Sequence, residues 1–276
     1  MKRYLFLCLI LFFTRQLMGQ TLRPDVLVIG NNNAAVAAAI QSAQSNAETI
    51  LLLQAGGFDI STLDKDIHSG IQAKFLERQL SIQVKSISSL GEKISQPPTQ
   101  KQMANEVMTK WTDSLKNLTV IKNVYWEKAA RSGKRWVFKL ADGKIIRPEV
   151  LVNVADEKLN TALKINASGM GTWFKLTYEN TLYKTNVAAG RNIKGATNTA
   201  FSLYQLLMPE QENLVYVNDP SSMLLGQAAG AVAAYAGFFN IHTSASNLKV
   251  IQGELIAHQA NLMPFSDIHY ARDTNW

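Results

Sequence analysis

A glycine-led loop near the start of the chain has the residue types needed to bind a phosphate group. The loop Gly30–Ala35 reads Gly-Asn-Asn-Asn-Ala-Ala. Its first residue, Gly30, is also the last residue of the short apolar run Asp25–Gly30. A loop between a buried strand and a helix offers free N–H groups and the positive end of the helix dipole to an anion. The dinucleotide fingerprint at such a turn is Gly-x-Gly-x-x-Gly/Ala. The spacing therefore predicts a pyrophosphate site that begins at Gly30.

Two positions of this loop and of the following strand depart from the fingerprint. Asn32 stands where the middle glycine would admit the phosphate, while Ala35 is an accepted small residue. Asn31 and Asn32 still offer N–H donors, and asparagine tolerates left-handed backbone. Gln54 ends the strand Thr49–Leu53, where an acid would accept hydrogen bonds from the ribose about twice as strongly. A weakened nucleotide site and a purely structural turn both stay open on these residues.

The elements around the loop indicate a parallel sheet. Asp25–Gly30 and Thr49–Leu53 are short apolar runs typical of buried strands, and Ala34–Ala43 between them is helix-forming. This strand–helix–strand order within about 30 residues is the unit that makes parallel sheets. We expect Val150–Val154 and Val187–Ala189 to lie in the same sheet, since both are short apolar runs.

A hairpin and three further helices complete the predicted elements. Arg135–Leu140 and Lys144–Pro148 flank Asp142-Gly143, a pair that suits the positive φ of a tight turn. The three helices are predicted over Asn198–Leu207, Met223–Phe239 and Asn247–Ala260. Met223–Phe239 is rich in small apolar residues and contains Gly226-x-x-x-Gly230, so that a buried helix and a transmembrane helix are both considered.

Composition excludes several classes of function. The 276 residues include 28 Lys+Arg against 21 Asp+Glu, and the 47% of hydrophobic residues favour a folded core over disorder. The basic residues are scattered, so we expect no nucleic-acid partner. The single cysteine, Cys8, lies in an N-terminal apolar run, which leaves the rest of the chain without disulfides or thiol chemistry. None of the four histidines has a metal-ligand spacing, and we expect no metal.

The first nineteen residues have the order of a secretory signal peptide. Lys2 and Arg3 precede the apolar run Tyr4–Phe13, and Gly19 is a small residue before the expected cut. Ten apolar residues are about half of the ~20 that span a bilayer, although an uncleaved anchor is the alternative. We therefore expect a periplasmic or secreted protein in which residues 20–276 form one domain without a stable membrane span.

Three later motifs resemble one family. Val187–Ile193 reads Val-Ala-Ala-Gly-Arg-Asn-Ile, and it is followed by Ala196–Phe201 and by Met223–Ala234 with its Leu-Gly-Gln-Ala-Ala-Gly block. This pattern is similar to that of bacterial FAD-dependent oxidoreductases with a glutathione-reductase-like fold, many of which are exported. The resemblance covers roughly two-thirds of the chain after the signal peptide. It implies a three-layer α/β FAD/NAD(P)-binding, Rossmann-like fold with a parallel sheet and a β-hairpin or meander.

The resemblance also implies a cofactor and its contacts. In the family, the loop after a late strand and the start of the glycine-glutamine helix close over the flavin. Carried over, this implies FAD contacts at five positions, namely Gly190, Arg191, Gly226, Gln227 and Ala228. Helix-start N–H groups can stabilise negative charge on a reduced flavin.

Two further departures from the family pattern concern the cofactor and the substrate. Val154-Ala155 replaces a glycine-containing turn after the strand Val150–Val154. The stretch from Asp156 to Leu182 is too short for the family's substrate domain, which we expect to be missing. One hypothesis is therefore an FAD-dependent oxidoreductase that transfers a hydride between a small substrate and the flavin. The alternative is a non-catalytic exported binding or scaffold protein that keeps the fold and has lost flavin binding.

Overall fold

The structure, a computed structural model, describes residues 20–63, 67, 69–88, 98–168, 170–175, 184–192, 197–208 and 210–263. The expected signal peptide lies outside the described residues. The backbone of Arg191 is described and its side chain is not.

The described residues form strands and helices in an alternating order. The strands are β1 Thr21–Leu22, β2 Val26–Ile29, β3 Thr49–Leu53, β4 Leu118–Lys122, β5 Trp126–Ser132, β6 Arg135–Leu140, β7 Ile145–Ile146, β8 Val150–Val154, β9 Phe174–Lys175, β10 Asn186–Asn192, β11 Thr197–Ser202 and β12 Leu214–Val217. The α-helices are α1 Asn33–Gln44, α2 Gly70–Ser88, α3 Gln100–Asp113, α4 Glu157–Leu163, α5 Met223–Phe238 and α6 Leu248–Ala257.

Five parallel strands make the central sheet, in the order β12-β8-β2-β3-β4. In its middle, Val26 of β2 pairs with Thr49 of β3 on one side and with Val150 of β8 on the other. β2, β3 and β8 are buried along their whole length, as expected for strands covered on both faces. The expected parallel sheet is confirmed for these three strands.

Alternate residues of the central sheet enter two different cores. Val26 and Val28 pack with the helices, whereas Leu27 and Ile29 pack with Trp136 and other residues of a second sheet. That second sheet has the order β1-β7-β6-β5. Successive side chains of a strand point to opposite faces, so the central sheet separates two layers. The α/β fold with three layers is thereby confirmed.

The predicted hairpin is present in the second sheet. β6 and β7 pair antiparallel, and Gly143 in their turn has a φ of +84°. Trp126–Ser132 adds a further antiparallel strand that the sequence does not predict, joined to β6 through Gly133 at a φ of +62°. β5, β6 and β7 therefore form a meander with a positive-φ glycine at each turn, and β1 pairs parallel to β7 at its edge.

The prediction that Val187–Ala189 joins the parallel sheet is wrong. These residues belong to β10 in a separate three-stranded sheet of order β10-β11-β9, where Gly190 pairs with Thr199. The helix predicted over Asn198–Leu207 is also wrong. The first half of this segment forms β11, and the short 3-10 turn Leu203–Leu206 follows it. The central sheet is completed by β12 and β4. Short apolar runs do not specify their partners, and cross-strand contacts decide the pairing.

Helices α1 and α5 form the closest helix pair against the central sheet. A Cβ on Gly226 would overlap the backbone carbonyl of Ala34, and one on Gly230 would overlap that of Ala38. The Ser42 hydroxyl donates to the Gly230 carbonyl at 3.0 Å. The small residues of Met223–Phe238 thus serve helix packing inside the protein. No helix in the described part of the chain is long and apolar enough to cross a membrane.

Candidate functional site

Gly30 makes the turn between β2 and α1 that the fingerprint requires. Its φ is +138°, a conformation that side chains rarely adopt. A Cβ there would also lie 3.0 Å from the Cβ of Ala35. The first glycine and the small residue at position 35 are therefore explained together, since the chain turns sharply and the helix begins close to the strand.

Asn32 acts as the N-cap of α1. Its Oδ1 accepts a hydrogen bond from the Ala35 N–H at 3.0 Å, and its own backbone is extended at φ −82° and ψ 175°. A glycine at this position would leave the Ala35 N–H free for a ligand. The side chain that replaces the middle glycine therefore occupies one of the donors that a phosphate would use.

Asn31 and Asn33 form hydrogen bonds between neighbouring loops and the start of α1. The Asp59 N–H donates to the Asn31 carbonyl at 2.7 Å. Asn33 is 1% exposed, and its Nδ2 donates to Ser61 Oγ at 2.9 Å and to the Ser221 carbonyl at 2.8 Å. Its Oδ1 accepts from the Ser61 N–H at 2.9 Å. The sequence analysis missed this role, although a buried amide at the head of an alanine-rich helix was a visible signal.

A second first-turn donor of α1 is also engaged. The Ala34 N–H donates to the Pro220 carbonyl at 3.1 Å, in the segment that leads into α5. With the Ala35 N–H bound by Asn32, two of the N–H groups that usually receive a pyrophosphate already have protein acceptors. These two donors thus have acceptors without any anion.

A cavity of about 300 Å³ lies beside this loop, at the carboxyl ends of β2, β3 and β8. Ligands of open parallel sheets bind at this edge of the strands. The volume is at the lower end of the range for small-molecule pockets. The cavity brings together residues from four segments of the chain, namely Ile29, Gly30, Asn31, Asn32, Gln54, Ala55, Val154, Ala155, Asp156 and Pro220.

A carboxylate that the sequence analysis did not assign to the site lies in this cavity. Gln54 Nε2 lies 3.4 Å from Asp156 Oδ2, while Oδ1 of the same carboxylate caps α4 by accepting from the Leu159 N–H at 2.9 Å. Asp156 comes two residues after the end of β8, which is separated from β3 by β2, and parallel strands of one sheet end at the same edge. A carboxylate therefore reaches Gln54 from the end of another strand, across the end of β2.

Ala155 has a left-handed backbone conformation, which favours glycine. Its φ is +48°, in the left-handed region, between the end of β8 and the cavity. A left-handed conformation costs an L-residue with a Cβ roughly 1–2 kcal/mol. The turn after β8 therefore contains a strained residue beside the cavity.

None of the five positions carried over from the family is among the residues that line this cavity. Gly226 and Ala228 are buried in α5 against other helices. Gln227 is 1% exposed, and its Oε1 accepts from the Ile71 N–H at 3.1 Å while its Nε2 donates to Gln41 Oε1 at 2.9 Å. Gly190 lies in β10, where its carbonyl accepts from Thr199 Oγ1 at 3.0 Å. The backbone of Arg191 follows in the same strand.

The structure therefore brings together one group of the predicted residues and not the other. Gly30, Asn31, Asn32 and Gln54 line one cavity, and Ala35 supports it from the first turn of α1. Within the described residues no group of three His, Cys, Asp or Glu side chains is placed to hold a metal ion.

The chain matches no family model, and no curated protein matches it. Among solved structures it is similar to p-nitrophenol 4-monooxygenase PnpA from Pseudomonas putida, with 11% identity, a TM-score of 0.40 and coverage of 87% of this chain and 85% of that one. PqsL from Pseudomonas aeruginosa, a "probable FAD-dependent monooxygenase", has 12% identity, a TM-score of 0.40 and coverage of 86% and 92%. The anhydrotetracycline hydroxylase OxyS from Streptomyces rimosus has 9% identity, a TM-score of 0.41 and coverage of 86% and 66%. At these identities the similarity concerns the course of the backbone.

Proposed function

We propose that this protein binds the adenosine half of FAD in the cavity at the ends of β2, β3 and β8, as a member of the FAD-dependent oxidoreductase type. The observation that carries the proposal is the meeting of Gly30, Gln54 and Asp156 in one cavity at the edge of a parallel sheet. That edge is where dinucleotides bind in doubly wound folds.

Asp156 and Gln54 would hold the ribose. Ribose hydroxyls donate to a carboxylate with bonds about twice as strong as neutral ones, and Asp156 Oδ2 lies on the side of the cavity next to Gln54. Gly30 keeps the start of the loop free of a side chain. The adenosine half of the cofactor therefore fits the residues present.

The pyrophosphate and the flavin fit less well in this conformation. Ala34 and Ala35 have already donated their N–H groups to Pro220 and Asn32, and Gln227 is enclosed between helices. FAD, when bound, would supply the hydride chemistry. The residues that line the cavity are proposed to bind the cofactor and are given no role in that transfer. From the resemblance to the family, we also propose a small-molecule substrate.

The alternative is a non-catalytic scaffold, and one observation favours it. Two N–H groups in the first turn of α1 are bound by the protein itself, as in a purely structural turn. In either case we propose an exported protein, because residues 1–19 have the order of a signal peptide.

Competition binding distinguishes the two proposals. FAD is titrated into the purified protein and followed by flavin fluorescence, and ADP or FMN is then added. ADP should displace FAD, since they share the adenosine half, whereas FMN should not. Displacement by FMN alone would contradict the assignment of the adenosine end, and absence of FAD binding would leave the scaffold.

Three variants test the residues of the site. Asp156→Asn keeps the N-cap of α4 and removes the charge, so FAD affinity should fall roughly tenfold. Asn32→Gly frees the Ala35 N–H and should raise affinity. Gln54→Glu, which the sequence alone suggests as a repair, should lower affinity, because it would put a second carboxylate beside Asp156. Asp142→Asn, in the distant hairpin, is the control.

A further inference from the structure

A second cavity, of about 260 Å³, lies at the C-terminal ends of α1 and α5 beside α6. Aromatic side chains form one wall of it, and Phe238 and Phe239 expose 61% and 57% of their surface. The ring of Tyr235 lies 4.9 Å from that of Phe239, and the two phenylalanine rings lie 5.1 Å apart. Exposed apolar patches of this kind are typical of surfaces that bind a ligand or a partner.

A carboxylate and two helix C-termini lie at this cavity. Glu254 is the one Asp, Glu, Lys or Arg among the described residues that line it. Its Oε1 accepts from Ser45 Oγ at 2.7 Å and lies 3.1 Å from His258 Nε2, which leaves Oε2 without a partner in the described part of the chain. Ser45 and Phe238 stand at helix C-termini, where the dipole is negative.

We propose that this cavity binds a small organic cation with an alkylammonium head group. Aromatic faces attract such cations through the ring quadrupole, and quaternary ammonium groups are recognised by clusters of rings. The carboxylate of Glu254 and the two helix ends supply the complementary charge. The site is separate from the nucleotide cavity, since the two share no lining residue.

The test uses choline chloride and its neutral analogue in which carbon replaces nitrogen, with binding to the full mature chain followed by NMR. Choline should bind about tenfold more tightly than the neutral analogue, and its methyl signals should shift upfield under the rings. Glu254→Gln keeps the acceptor for Ser45 and should abolish most of this preference. Phe239→Leu, at an exposed position, should weaken choline binding without affecting the fold. Glu106→Gln on α3 is the matched control.

Three outcomes would overturn the proposal. The first is no choline binding to the natural chain. The second is equal binding of choline and the neutral analogue, which would make the cavity merely apolar. The third is self-association of the chain that Phe239→Leu removes, which would make the aromatic surface an interface between two copies.

Discussion

Replacing Gly226 by alanine tests the packing of α5 on α1 directly. The new Cβ would overlap the Ala34 carbonyl oxygen and lie 2.7 Å from its carbonyl carbon. Because the neighbour is helix backbone and not a flexible side chain, the cost should be at the top of the 1–3 kcal/mol range for overpacking. The better helix propensity of alanine returns about 1 kcal/mol. We expect a net loss of about 2 kcal/mol in the free energy of unfolding.

Gly253→Ala in α6 is the matched control, because its Cβ would meet no atom within 4 Å. It should stabilise the protein by about 0.5–1 kcal/mol through helix propensity alone. Urea unfolding followed by circular dichroism gives both free energies, provided that the m-values agree. In thermal unfolding, 2 kcal/mol corresponds to roughly 4–8 °C for a chain of this size. Equal effects of the two substitutions would refute the close approach of α1 and α5.

Three further predictions follow from single residues or segments. Asn33→Ala removes three partly buried hydrogen bonds of a buried amide, so urea unfolding should give a free energy of unfolding lower by about 2–3 kcal/mol. A loss below about 0.5 kcal/mol, the usual limit for surface sites, would contradict this prediction. Ala155→Gly relieves left-handed strain of about 1–2 kcal/mol at an entropic cost of about 0.5–1 kcal/mol, so thermal unfolding should shift upward by a few degrees. Protein exported by a bacterial host should have a mass without residues 1–19, and a mass that includes them would refute the signal peptide.

The core of the fold could be predicted because its elements are encoded locally. Val26–Ile29, Thr49–Leu53 and Val150–Val154 are apolar runs of strand length, and Ala34–Ala43 has the composition of a buried helix. Gly143 marks its turn by a conformation that few other residues adopt. In each case the evidence lies within the segment itself, so no partner had to be known.

Strand partners could not be predicted in the same way. Val187–Ala189 and Leu214–Val217 are both short apolar runs, and only the second joins the parallel sheet. The first pairs with β11, part of a segment over which the sequence analysis predicts a helix. Strand pairing depends on which backbone groups the rest of the fold leaves available. The residues of a short apolar run do not indicate which strand that partner is.

The sequence by itself determined the glycine turn, its asparagine departures and the neutral residue at position 54. Tertiary structure alone decided what those departures mean. Asn32 caps its own helix, Pro220 satisfies a second N–H group, and Asp156 brings a carboxylate to Gln54 from a strand 102 positions later in the chain. Motif positions specify which groups a loop offers, whereas the free donors and nearby charges at a site depend on every segment that the fold brings there.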